Sequence, residues 1–215
     1  EKEAWETLEQ DVITPLVAAK SYGDPVRVWV PGCATGEEAY SIAMLLDEQF
    51  ERQQKRLDLQ MFATDLDEQA IHTARNGVYA AGIAADLTPA RLKRFFTEGK
   101  DHFRVTKRLR EKCVFAVQNI ISDAPFSNLD LISCRNLLIY LEPEIQKRLM
   151  QLFHFALAPG GCLFLGTSES VAQEKSLFEP VSQTWRIYRK VGRRKQGGQS
   201  FPVVPQEAQR SPAAE

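Results

Sequence analysis

The fold is decided by residues 26–38, which read VRVWVPGCATGEE. The first five residues of this stretch are mostly β-branched, which predicts a short buried strand. Gly32 and Gly36 then lie four positions apart in a turn, and apolar residues with helical spacing follow as far as Leu46. The stretch therefore predicts a strand, a glycine-bearing turn and a helix, which together make the first half of a βαβ unit.

Strands and helices also alternate in the rest of the chain, both before and after this stretch. A helical period precedes the first strand, and the later segments are predicted as strands or helices from their apolar runs and flanking turn residues. These segments are a helix at 5–20, a strand at 59–64, a helix at 67–76 stopped by Gly77, strands at 129–134, 162–166 and 185–188, and a helix opened by Pro143. We predict an α/β protein with a mostly parallel sheet, an antiparallel C-terminal strand pair and helices on both faces.

Two segments depart from this alternation. Residues 80–117 contain a short helix that starts at Thr88 and two strand-like runs around the basic stretch 107–112, so we predict a small inserted β-subdomain at about 97–117. Residues 191–215 are rich in Gly, Gln, Pro and Ser, a composition typical of a disordered tail or linker. The predicted domain therefore spans 1–190.

Composition excludes several classes of protein. The 27 basic and 28 acidic side chains nearly balance, so the total charge favours neither nucleic acid nor an anionic membrane surface as a partner. No apolar run has the length of a membrane span and the N-terminus is not a signal peptide, which predicts a cytoplasmic protein without direct membrane insertion. The 4 cysteines form no C-x-x-C pair, so we expect reduced thiols and no metal site. The missing initiator methionine suggests a fragment of a longer chain.

Ligands of open α/β sheets bind beyond the carboxyl ends of the strands. The turn after the first strand matches neither G-x-G-x-x-G nor the P-loop pattern, and its helix begins with Glu37 and Glu38. Two carboxylates would repel a pyrophosphate but suit a cationic or hydroxyl-rich ligand. This disfavours a nicotinamide dehydrogenase, although a simple tight turn without any ligand remains an alternative.

Two further strand ends carry polar residues. Asp65 follows the second strand at the distance where an acidic residue meets a ribose in nucleotide-binding units, although it could instead cap the next helix. Cys134 ends a later strand and is followed by Arg135, while Tyr140 lies a few residues on. The alternative interpretation is that Arg135 pairs with a surface carboxylate and that Tyr140 packs into the core.

Together these segments resemble the CheR family, the chemotaxis receptor glutamate O-methyltransferases that use S-adenosylmethionine. The resemblance covers roughly Trp5 to Lys190 and is carried by four motifs in order. These are PGCATGEEAYSIA at 31–43, ATDLD at 63–67 with ARNGVY at 74–79, CRNLLIY at 134–140, and PGG at 159–161 leading to LGTSE at 165–169. The resemblance implies a Rossmann-like methyltransferase fold and S-adenosylhomocysteine as the product.

The resemblance also implies a role for individual residues. Gly32 would lie near the methionine moiety of the cofactor, Glu38 would bind its polar end, and Asp65 would bind its ribose hydroxyls. Asn119 and Ile120 would flank the adenine. The Cys134 backbone and Arg135 would complete the wall beside the sulfonium, with Arg135 and Tyr140 as the catalytic pair and Tyr140 reaching toward the methyl group. No metal is implied.

The implied reaction is methyl transfer to glutamate carboxylates in the cytoplasmic region of chemotaxis receptors, giving methyl esters. The family also has a helical N-terminal domain that ends in an Asn-x-Thr-x-Phe-Phe-Arg motif, and this sequence begins after that motif. The alternative is therefore a cofactor-binding, non-catalytic or impaired module of a larger signalling protein, fused to other signalling domains. The sequence 97–102 is also short for the docking loop that binds a receptor tail in some members.

Overall fold

A computed structural model describes residues 1–171 and 176–192. The ten strands within these residues are β1 (Pro25–Pro31), β2 (Asp58–Asp65), β3 (Val78–Ala80), β4 (Phe96–Glu98), β5 (His102–Val105), β6 (Cys113–Val117), β7 (Leu129–Cys134), β8 (Leu157–Leu165), β9 (Phe178–Ser182) and β10 (Ile187–Lys190). Seven of them form one sheet in the order β6-β2-β1-β7-β8-β10-β9. Strands β6, β2, β1, β7 and β8 are parallel, and β10 pairs antiparallel with both β8 and β9. The predicted α/β fold class is confirmed.

The α-helices are α1 (Lys2–Leu8), α2 (Thr14–Ala19), α3 (Glu37–Arg52), α4 (Glu68–Asn76), α5 (Pro89–Phe95), α6 (Lys107–Arg110) and α7 (Pro143–Ala156). A π-helical stretch, Glu9–Ile13, joins α1 to α2, so the predicted N-terminal helix contains a π-bulge. Helix α4 ends as the sequence predicts, because Gly77 takes up the left-handed conformation that favours glycine (φ 59°).

The small antiparallel sheet is formed by β3, β5 and β4. It begins at Val78, before the predicted boundary of 97, and β6 does not belong to it. Strand β6 instead pairs in parallel with β2, from Met61 opposite Cys113 to Asp65 opposite Val117. The sequence prediction that grouped 113–117 with the inserted hairpin was wrong, because local order along the chain does not reveal which sheet a strand joins.

The C-terminal part of the sheet contains one strand that the sequence did not predict. Strand β9 runs antiparallel to β10, with Phe178 opposite Lys190. Only Phe178 of this strand is fully buried and a proline lies within it, which is typical of an edge strand and weakens the apolar signal. Residues 172–175 and the predicted tail from 193 to 215 lie outside the described residues.

The sheet separates two apolar clusters. The larger one packs α1, α2, α3 and α4 against one face through residues such as Val28, Ile42 and Ile71, and the other packs α7 against the opposite face around Trp29 and Phe153. All four cysteines are buried and unpaired, as the sequence predicts. Both faces of the central strands are therefore covered by helices, which leaves the strand ends as the place where a ligand can approach.

Candidate functional site

The predicted site residues that follow β1, β2 and β7 lie together where these strands end. We call this side of the sheet, formed by the carboxyl ends of its parallel strands, the carboxyl edge. Strands β1, β2 and β7 are parallel neighbours, with Pro31 opposite Thr64 and Trp29 opposite Ile132. The residues that follow these strands, including Gly32 and Arg135, therefore lie side by side at the carboxyl edge. Strand β6 adds its own end on the far side of β2, since Val117 pairs with Asp65.

The turn after β1 packs closely against the turn after β7. Gly32 has a positive φ of 67°, and a Cβ atom added there would lie 3.1 Å from Cδ2 of Leu137. Gly36 also has a positive φ, 94°, and a Cβ there would lie 2.9 Å from the Cβ of Ala74. The positive φ and the close packing both require glycine at these two positions. Because glycine has no side chain, only the backbone of this turn faces the carboxyl ends of the strands.

Asp65 connects the first turn to the second strand. Its Oδ2 accepts the Ala34 N–H at 2.8 Å, and its Oδ1 accepts the Asp67 N–H at 3.0 Å. The cap of helix α4 is Asp67, whose carboxylate accepts from the N–H groups of Gln69 and Ala70. The alternative in which Asp65 caps this helix is therefore wrong. A carboxylate has about four lone-pair positions, so Asp65 keeps capacity to accept hydroxyl groups of a ligand.

The turn is electrostatically negative. Burial, together with the carboxylates of Asp65, Glu38 and Glu37, raises the pKa of the Cys33 thiol to about 12. The pKa of Glu38 is also raised, mainly by burial and also by Glu169, although Ser133 and Arg135 act in the opposite direction. A cationic ligand would offset this excess of negative charge, whereas a pyrophosphate would add to it.

Arg135 is held in a narrow slot beside the turn. Its side chain is 11% exposed, its guanidinium lies 4.7 Å from the centre of the Phe164 ring and 5.5 Å from that of Trp5, and it pairs with the Glu1 carboxylate. Its Nε is buried and has no hydrogen-bond partner among the described residues. The pairing with Glu1, whose side chain is 41% exposed, agrees with the alternative in which Arg135 pairs with a surface carboxylate.

Tyr140 lies at the end of a 3₁₀ turn, Leu138–Tyr140, that follows β7. Its side chain is 80% exposed, so the alternative in which it packs into the core is wrong. Cys134, by contrast, is completely buried as the last residue of β7. Of these two residues, only Tyr140 is exposed to solvent.

Asn119 and Ile120 follow β6 and lie next to Asp65 at this edge, because the Gln118 N–H donates to the Asp65 carbonyl at 3.0 Å. The Asn119 Oδ1 accepts the N–H of Ile121, and its own N–H donates to Asp123. Both Asn119 and Ile120 are partly buried. The structure thus brings most of the predicted site residues to the ends of four adjacent strands, whereas Glu38 lies in the first turn of α3 and Tyr140 lies in a 3₁₀ turn beyond β7.

Glu169 is a residue whose role the sequence did not indicate. It is 4% exposed, and its carboxylate accepts three backbone N–H groups, those of Asn136, Leu138 and Gly166. In the sequence, Glu169 stands out only as the last residue of the LGTSE motif, three positions after the glycine that follows an apolar strand. That spacing is common in loops, so the interaction with the distant segment after β7 was not predictable.

One large groove does not belong to this edge. A groove of about 870 Å³ lies between α1, α3 and α5, and none of the predicted site residues lines it. Within the parts of the chain that the structure describes, no group of three His, Cys, Asp or Glu side chains could hold a metal ion. No helix in 1–171 or 176–192 is long and apolar enough to cross a bilayer.

The sequence model of the family described as CheR methyltransferase, SAM binding domain matches residues 1–187. The chain belongs to this family. Its cofactor is accordingly S-adenosylmethionine, as the sequence predicts.

Several relatives carry chemotaxis names. The chain is 35% identical to chemotaxis protein methyltransferase 1 of Pseudomonas aeruginosa, over 78% of this chain and 62% of that protein. It is 33% identical to the chemotaxis protein methyltransferase of Escherichia coli, over 79% and 62%. An uncharacterised 104.1 kDa protein of Rhodobacter capsulatus is 45% identical over 85% of this chain but only 19% of its own length. The chain thus spans less than two thirds of these relatives.

Among solved structures, a TehB-like SAM-dependent methyltransferase from Corynebacterium glutamicum has a TM-score of 0.45 and 13% identity, covering 88% of this chain and 93% of that one. That similarity is too low to carry an argument about function.

Proposed function

We propose that the protein transfers the methyl group of S-adenosylmethionine to glutamate side chains in the cytoplasmic region of chemotaxis receptors. The observation that carries the proposal is the convergence of Gly32, Asp65 and Arg135 on one edge of the sheet, beside the acidic first turn of α3. The chemotaxis names of relatives at 33–35% identity support the receptor as substrate.

The residues at the edge fit the cofactor. The backbone of Gly32, which carries no side chain, would lie beside the methionine moiety, the carboxylate of Glu38 would pair with its ammonium group, and Asp65 would accept the ribose hydroxyls. Asn119 and Ile120 flank the adenine, and the Cys134 backbone and Arg135 close the remaining side. The raised pKa of Glu38 supports this assignment, because a cation that binds there relieves the unfavourable burial of its charge.

The cofactor supplies a methyl group that is already activated by the positive sulfonium. A glutamate carboxylate is ionised near neutral pH, so the protein needs no general base. The protein therefore accelerates the reaction by positioning the carboxylate relative to the methyl group and by excluding water. Arg135, held between Trp5 and Phe164, and the exposed phenol of Tyr140 orient the attacking carboxylate.

A second candidate is a cofactor-binding module that does not catalyse transfer. The Rhodobacter capsulatus relative favours this candidate, since the similarity covers only 19% of that protein and so places such a domain within a much longer chain. Calorimetric titration with S-adenosylhomocysteine, combined with transfer of a labelled methyl group to receptor fragments, separates the two. Binding with transfer supports the methyltransferase, binding without transfer supports the module, and absence of binding contradicts both.

A further inference from the structure

Glu169 joins two loops that the sequence separates by about thirty residues. One loop follows β7 and carries Arg135 and Tyr140, and the other follows β8. The Glu169 Oε2 accepts the Asn136 N–H at 3.0 Å and the Gly166 N–H at 2.7 Å, and its Oε1 accepts the Leu138 N–H at 2.7 Å. A single carboxylate therefore binds the backbone of both loops.

We infer that Glu169 is a positioning residue, which fixes Arg135 and Tyr140 relative to the cofactor turn by binding the backbone between them. This inference rests on the proposed function. The two amide groups that Glu169 binds in the first loop flank Leu137 on either side, and the Leu137 side chain is the group that packs against Gly32. The carboxylate of Glu169 therefore sets how the loop after β7 meets the turn after β1.

The charge of Glu169 is held by backbone alone. Within the residues that the structure describes, no lysine or arginine forms an ion pair with it, and its side chain is 4% exposed. A buried carboxylate that lacks a cationic partner is stable only while its N–H donors stay in place. Opening of the loop would therefore leave a buried charge unpaired, which makes the closed arrangement strongly preferred.

Glu169 packs tightly against Gly166 and Asn136. A Cβ atom added to Gly166 would lie 2.8 Å from the Glu169 Oε2 and 3.1 Å from the Asn136 nitrogen. Asn136 itself has a positive φ of 59°, an uncommon conformation for a residue other than glycine. Asparagine adopts this conformation more readily than most other residues, and the hydrogen bond from the Asn136 N–H to Glu169 helps to hold it there.

The decisive variant is Glu169→Gln, which keeps the shape but replaces one acceptor oxygen by a donor NH₂ group. At least one of the three N–H groups then faces another donor. We expect hydrogen exchange at the amides of Asn136, Leu138 and Gly166 to accelerate about 10- to 100-fold. We expect kcat to fall about 100-fold, since a displacement of about 1 Å costs that much, while binding of S-adenosylhomocysteine weakens about threefold to tenfold.

Asp47 offers a matched control. It is a carboxylate that is also 4% exposed, but it lies on α3 and pairs with Arg94, Arg108 and Lys112 rather than with backbone. We expect Asp47→Asn to lower the melting temperature while leaving the exchange of the loop amides, the affinity and kcat per folded molecule unchanged. A purely structural role for Glu169 predicts that its variant behaves in the same way as Asp47→Asn.

Gly166→Ala tests the same contact without changing any charge, and it serves if Glu169→Gln does not fold. The added methyl group displaces the carboxylate, so we expect the same rise in amide exchange and the same unequal effect on kcat and affinity.

Unchanged exchange in these variants overturns the inference, as does faster exchange with wild-type kcat and affinity. A wild-type protein that binds no S-adenosylhomocysteine contradicts the proposed function instead, and the inference falls with it. If the wild type binds but transfers nothing, the effects on exchange and affinity decide the inference alone.

Discussion

The carboxylate of Asp65 accepts the backbone N–H of Ala34 at 2.8 Å, which ties the end of β2 to the glycine turn after β1. The same side chain is the proposed acceptor for the ribose hydroxyls of the cofactor. Binding of the ligand and closure of the turn therefore depend on one carboxylate, and a change at this residue should affect both.

We expect Asp65→Ala to weaken binding of S-adenosylhomocysteine about 10- to 100-fold, because the ribose hydroxyls and the Ala34 N–H both lose a charged acceptor. Calorimetric titration measures the change. Asp67→Ala is the matched control two residues away, since Asp67 caps α4. It should cost about 1 kcal/mol of stability without a comparable loss of affinity. Equal affinity of the Asp65 variant and the wild type would exclude the ribose role.

Glu38 should make cofactor binding depend on pH. Burial raises its pKa above the ordinary 4.5, so the carboxyl group protonates at a higher pH than most glutamates and then cannot pair with the ammonium group. We expect affinity to fall as the pH is lowered through this raised value, in a calorimetric series. Glu38→Gln should bind more weakly at neutral pH and lose the dependence, and a wild-type affinity independent of pH would contradict the assignment.

The same shift predicts an effect on stability in the absence of ligand. The pKa of Glu38 is higher in the folded protein than in the unfolded chain. The contribution of this group to the free energy of unfolding is therefore fully present below pH 4.5, and it is lost as the pH rises through the pKa of the folded state. At neutral pH the ionised group is therefore unfavourable, and we expect Glu38→Gln to melt at a higher temperature than the wild type. Thermal unfolding at several pH values checks this, and a lower melting temperature at neutral pH would count against it.

Tyr140→Phe should slow methyl transfer about tenfold or more while leaving cofactor affinity unchanged, because only the phenol oxygen is removed. The side chain is 80% exposed, so stability should not change. Tyr22→Phe is the matched control, since Tyr22 is 78% exposed but precedes β1 and lies at the opposite edge of the sheet. Single-turnover rates with receptor fragments measure the difference, and a normal rate for Tyr140→Phe would remove the phenol from the mechanism.

Asp47 should make the fold sensitive to acid. Burial alone would raise its pKa, but hydrogen bonds from Lys112, Arg94 and Arg108 outweigh burial and lower the pKa from 3.8 to about 2. Its stabilising contribution is therefore present above pH 3.8 and is lost as the pH falls through about 2. Asp47→Asn should cost about 3 kcal/mol, because three cations lose their shared partner. Denaturant unfolding tests this, and a change below about 0.5 kcal/mol would show that the cluster contributes little.

Most of the strands and helices were predictable because each carries its own local signal. The β-branched run before Gly32, the helical period after Gly36 and the stop at Gly77 need no distant contact to be recognised. Strand β6 was assigned to the wrong sheet for the opposite reason, since its partner β2 lies about fifty residues earlier. Asp65 and Arg135 could be named as site residues because the carboxyl ends of parallel strands meet at one edge of the sheet.

The sequence by itself determined the alternation of elements, the glycine turn, the acidic start of α3 and the motifs that indicate the family. Only the tertiary structure decided that Asp67 caps α4, that Tyr140 is exposed, and that Glu169 binds the loop after β7. Local signals arise from conformational preferences within a few residues, whereas the hydrogen-bond partners of a buried carboxylate depend on which distant segments the fold brings near it. No local sequence pattern predicts those partners.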